Sequence, residues 1–83
     1  MKRRWSVSDE VLAVFHRCTA RERQRLFDLF ARLAEFPDSF ADYNDHGSAA
    51  RLYSVAHSAP WIITYWVDPD WPVVRIVELE LVA

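Results

Sequence analysis

One cysteine and one glycine in 83 residues remove several classes of protein at once. A lone Cys18 cannot close a disulfide framework and supplies too few thiolates for a structural zinc site, so a reduced, cytoplasmic setting is expected and no metal or cofactor is called for. With glycine this scarce and only four prolines, collagen-like and low-complexity chains are excluded. Long apolar runs are missing too. The longest uncharged apolar-rich stretch, residues 54–67, falls short of the roughly 20 residues that span a bilayer and contains His57, Ser58 and Thr64, so no membrane partner is expected. Met1-Lys2-Arg3-Arg4 is basic, but alternation and then acids follow it, which does not read as a signal peptide. What the chain does have is apolar mass: 52% of it is hydrophobic, with five Phe, four Trp and three Tyr. That fills one small core and predicts a single domain over residues 1–83.

Charge is divided along the chain. Through residue 32, eight basic residues face four acids, a net of +4; from residue 33 onward, Arg51 and Arg75 face eight acids, a net of −6, which together make the overall −2. Phosphate contacts dominate nucleic-acid affinity, so this balance argues against a tight non-specific nucleic-acid binder and leaves a local basic patch open.

Residues 2–7 alternate, with Trp5 and Val7 on the side that suits a core, and predict a first strand. Ser8 followed by Asp9 and Glu10 is an N-cap with acids in the first turn, and Val11, Leu12 and Phe15 supply the buried stripe of a helix ending near Arg17 or Cys18. Thr19-Ala20-Arg21-Glu22 matches a capping box, the clearest local signal in the chain. The second helix then carries Leu26, Leu29, Phe30 and Leu33 at helical spacing until Pro37 stops it. Its Arg21, Arg25 and Arg32 read as a solvated row supported by an Asp28–Arg32 pair. The two helices form an antiparallel hairpin.

Residues 38–50 are rich in Asp, Asn, Ser and the one Gly47, a composition that favours turns over regular structure. Residues 51–56, 61–68 and 73–81 are β-branched and aromatic and are separated by two short turns, which predicts a three-stranded antiparallel meander. In the middle strand Trp61, Ile63, Tyr65 and Val67 form the better core face. The last strand is undecided, because one face carries Arg75 among Val73, Val77, Leu79 and Leu81 and the other carries Glu78 and Glu80. The expected class is therefore α+β: an N-terminal strand, an antiparallel helical hairpin and a three-stranded antiparallel meander.

That order of elements resembles the RelE/ParE superfamily of type II toxin–antitoxin systems over nearly the whole chain. The residues that carry the resemblance are the helix end from Leu33 to Pro37, Arg51 opening Arg51-Leu52-Tyr53-Ser54-Val55, and the strand Trp61-Ile62-Ile63-Thr64-Tyr65-Trp66-Val67-Asp68, with Val73-Val74-Arg75-Ile76-Val77 after it. The resemblance implies a curved sheet backed by a helical hairpin, and a prokaryotic protein that an antitoxin wraps and silences. RelE-like members cut ribosome-bound mRNA without metal, and ParE-like members poison gyrase.

The departures from the family pattern are specific. Aligning Tyr65 with the family's third-strand Tyr puts Tyr53, Val55, His57 and Ile62 where basic side chains usually point, and no C-terminal helix follows the last strand. Attack by a 2′-hydroxyl needs a base, cationic donors for the phosphorane and an acid for the leaving oxygen. Arg51, Arg75 and His57 are what this chain offers as a catalytic set, while Glu78 and Glu80 near the same place repel phosphate.

Each of these residues also has a structural reading. Arg51 and Arg75 pair readily with Asp42, Asp45 or Glu78 across a sheet, and His57 fits a solvated turn ahead of Pro60. Tyr53, Trp66 and Trp71 suit base stacking or, more simply, a core or an interface on a sheet too large for its domain to cover. Two functions follow as expectations. One is a toxin acting on ribosome-bound mRNA or gyrase under the control of an antitoxin; the other is a non-catalytic interaction module on the same fold, such as a homodimer or a degenerate toxin retained for partner binding.

Overall fold

The computed structural model describes residues 4–46 and 52–82, with the side chains of 45 and 46 left aside. Its elements are β1 (Arg4–Val7), α1 (Asp9–Arg17), α2 (Ala20–Glu35), α3 (Pro37–Phe40), β2 (Tyr43–His46), β3 (Leu52–Ser58), β4 (Trp61–Val67) and β5 (Val73–Leu81). The strands make one mixed sheet in the order β1-β5-β4-β3-β2, antiparallel throughout except that β1 runs parallel to β5. The α+β class and the sequence of strand, helices and meander stand as expected.

The helix starts follow from their caps. The Ser8 hydroxyl accepts from the Val11 amide, and Thr19 and Glu22 exchange side-chain-to-amide bonds at 3.1 and 2.8 Å, so each cap satisfies a donor that the first turn of its helix would otherwise leave open. Arg23 closes the other end of α1, donating from Nη1 to the carbonyls of Phe15 and Cys18 at 3.2 and 2.8 Å. The predicted Asp28–Arg32 pair is absent among the described residues; Asp28 instead accepts from Gln24 at 3.2 Å.

Both helices lie on one face of the sheet. Val11 and Phe15 from α1 and Leu26, Leu29, Phe30, Leu33 and Ala34 from α2 pack with Ala56, Trp61, Ile63, Tyr65, Val74, Ile76 and Leu79 into one core. Trp5, Phe15, Phe27 and Phe30 join ring to ring at centroid distances of 5.3–5.7 Å and tie β1 to both helices. The buried Tyr65 hydroxyl donates to the carbonyl of Pro37, fixing the end of α2 against the sheet.

Three expectations need correction. Residues 38–50 do not form one irregular connection, because α3 and β2 lie inside it and the meander gains a fourth strand. Tyr43-Asn44-Asp45-His46 has little strand propensity; the open edge of β3 imposes the extended form by pairing with it, from Tyr43 opposite Val55 to His46 opposite Leu52. His57 is not in a turn but within β3, opposite Ile62. Finally, neither alternating face predicted for the last strand is correct. Tyr65 pairs with Ile76 and Thr64 with Glu78, so Val77 is an extra residue that switches the phase. Val74 and Ile76 face the helices before the bulge and Leu79 after it, which sends Arg75, Glu78 and Glu80 together to the other side. The Ser8 hydroxyl donates to the Val77 carbonyl at 2.9 Å and its amide to Ile76 at 3.0 Å, so the cap of α1 also satisfies the bulge.

Candidate functional site

No described helix covers the second face of the sheet, and the strand register arranges its side chains in rows. One row holds Ser6, Arg75 and Trp66; the next holds Glu78, Thr64, Val55 and Tyr43; the third holds Glu80, Ile62 and His57. Continuing the β3–β4 register by one residue sets Tyr53 beside Trp66.

At the first end, Arg75 lies over the Trp66 ring at 5.7 Å, donates from Nε to Asp68 at 3.0 Å and reaches Ser6 at 3.4 Å. Two of the five guanidinium N–H groups are thereby engaged, and the others have no hydrogen-bond partner among the described residues. The Asp68 carboxyl is held below its ordinary range first by the Asp70 amide and then by Arg75. Trp71 occupies the β4–β5 hairpin tip at this end and is 65% exposed. Arginine on an indole beside a second aromatic ring is an arrangement that stacks a base and holds one phosphate oxygen.

At the opposite end His57 is exposed and shares Asp42. Its ring Nδ1 is 3.0 Å from Asp42 Oδ2, and its backbone N–H donates to the same oxygen at 2.6 Å. That amide, followed by the ring, keeps the Asp42 carboxyl below its usual range. The Tyr43 ring lies 6.1 Å from the imidazole. Between the ends, Tyr43, Val55, Ile62, Thr64, Glu78 and Glu80 line a shallow depression of about 250 Å³ with Val55, only 5% exposed, in its floor.

The sheet thus gathers Arg75, Trp66 and Tyr53 and keeps His57 apart from them. His57 faces Ile62 and Arg75 faces Trp66, four residues along β4 and on its opposite flanks. At about 3.3 Å per residue and 4.8 Å per strand, their backbones are roughly 16 Å apart, too far for both side chains to act on one phosphate. Arg51 lies outside the described residues. The pairings themselves differ from those expected: Arg75 takes Asp68, which is not among its expected partners, and Asp42, expected to pair with Arg51 or Arg75, engages His57. The first was readable, since Asp68 closes β4 a few residues before Arg75 opens the returning strand; the second depends on the unforeseen approach of β2. Among the described residues no three His, Cys, Asp or Glu side chains converge as a metal site, and no helix is long and apolar enough to cross a membrane.

Comparison with solved structures bears on the fold. The archaeal RelE of the RelE–RelB complex from Pyrococcus horikoshii superposes with a TM-score of 0.74 at 18% identity, covering 98% of this chain and 96% of that one. The intact E. coli RelBE toxin–antitoxin complex matches with a TM-score of 0.67 at 13% identity over 98% of each chain. No family model matches the sequence, and no curated protein does. The chain has the RelE fold across nearly its whole length, as the resemblance implied.

Proposed function

We propose that this chain is the toxin-like component of a type II toxin–antitoxin system, neutralised by an antitoxin and acting by ribosome-dependent mRNA cleavage or by gyrase inhibition. The observation that carries the reading is the near-complete overlap of its fold with two toxins crystallised alongside their antitoxins. In the nuclease form Arg75 holds the scissile phosphate and Trp66 and Tyr53 stack the flanking bases, with Arg51 adding a second cation. The Asp68 carboxylate is the basic group beside Arg75, but it is tied to the Arg75 Nε at 3.0 Å and held below its ordinary range, which makes it a weak base for the 2′-hydroxyl, and His57 stands too far away to serve more than a second subsite.

A second reading, a non-catalytic interaction module, is favoured by one specific observation. Glu78 and Glu80 project onto the same face as Arg75, and phosphate approaching that face meets two carboxylates. Induced expression in a bacterial host decides between them. The toxin reading requires growth arrest, relieved by Arg75→Ala, together with new mRNA ends or gyrase-dependent DNA breaks in the same cells. Normal growth with neither lesion leaves the interaction module.

A further inference from the structure

The depression at the Glu78–Glu80 end is built unlike the Arg75 end of the same face. The two carboxylates stand two residues apart on one strand, on the same side, which spaces them by roughly 6–7 Å. Both are exposed, and neither makes a hydrogen bond or ion pair with another described side chain. Beside them the surface is apolar: Val55 forms the floor, Ile62 is half-buried, and Tyr43 stands at the rim 53% exposed. The depression, at about 250 Å³, is too small for a drug-sized ligand yet ample for one or two side chains.

The geometry points to a docking site for a cationic, amphipathic segment of a partner protein. An apolar side chain of that segment fills the depression over Val55 and Ile62 while two basic side chains reach Glu78 and Glu80. Charge complementarity selects this occupant. A phosphate backbone meets two unpaired carboxylates here, and an acidic peptide fares no better, whereas Lys or Arg residues one helical turn apart are spaced about 5–6 Å, close to the carboxylate separation. The inference rests on the charge and shape of this end of the sheet and does not depend on the toxin reading.

The test is an NMR titration of the full isotope-labelled chain with three probes: a synthetic helical peptide bearing a Lys pair one turn apart beside a Leu stripe, a scrambled peptide of the same composition, and a single-stranded RNA oligonucleotide. The patterned peptide is expected to move the amides of Ile62, Thr64, Glu78 and Glu80, with binding that weakens as salt is raised. The E78Q/E80Q double variant, whose exposed positions preserve the fold, is expected to lower its affinity about tenfold. Equal shifts from the scrambled peptide, the same amides moving with RNA, unchanged affinity in E78Q/E80Q, or sedimentation showing that a second copy already closes this face would each overturn the proposal.

Discussion

The two faces of the sheet use similar residues for different ends. On the helix side Ile63, Tyr65, Val74 and Ile76 are wholly or almost wholly buried against α1 and α2, and no polar or charged residue is buried among the described residues. On the other side the same strands present Ile62, Thr64, Trp66, Arg75, Glu78 and Glu80, of which none is fully buried. Stability is therefore concentrated on one face, while the other is free to be specified by charge and aromatic character. The α1 cap and the β5 bulge keep the two apart, since the extra Val77 sends Leu79 inward and both glutamates outward.

Substitutions that ignore this division break it most severely. Phe30→Ala empties a fully buried ring site and is expected to cost about 3–5 kcal/mol in chemical denaturation, enough to unfold a domain this small, while Ile62→Ala on the open face costs about 1 kcal/mol. Equal losses at the two positions would contradict the comparison. Ser8→Ala removes both the helix cap and the donor to the bulge carbonyl, and a loss of about 2 kcal/mol is expected from the same measurement.

Tyr65→Phe sharpens the contrast. It leaves the core filled but strands the Pro37 carbonyl, for about 1–2 kcal/mol at neutral pH. Burial, aided by Asp38, pushes the Tyr65 phenol up to about 12 from an ordinary 10.0. A folded-state value above the unfolded one gives stability that is complete below pH 10 and lost as pH rises toward 12. The wild type should weaken across that interval, and Tyr65→Phe should lack this part of the alkaline loss.

The smallest effect belongs to the open face. The depressed Asp42 carboxyl contributes stability that is present above the ordinary aspartate value of 3.8 and is lost as pH falls through its lower folded value. Asp42→Asn should flatten that part of the acid limb in denaturation midpoints measured from neutral to strongly acidic pH. An unchanged limb would show that the His57–Asp42 contact holds nothing in solution.

How much of this was legible in the sequence divides along local and non-local lines. The caps at Ser8 and Thr19, the stop at Pro37 and the core face of β4 are written in neighbouring residues, and each stands in the structure. Strand β2 was hidden because Tyr43-Asn44-Asp45-His46 becomes extended only through pairing with β3. The bulge was hidden because period-2 reading assumes that no residue is inserted, and Val77 carries no turn signal. The site was legible to the same extent. Arg75, Trp66 and Tyr53 come together once β3, β4 and β5 are in register, His57 falls elsewhere because β3 runs two residues further than expected, and Trp71 stays at the hairpin tip.

Oxidative footprinting of side chains in the free protein tests most directly whether one sheet face is closed and the other available. Tyr43 and Trp71 should be modified rapidly, Trp66 at an intermediate rate, and Trp61 and Tyr65 only as the protein unfolds. Protection of Tyr43 equal to that of Tyr65, or rapid labelling of Tyr65 in the folded chain, would contradict the account.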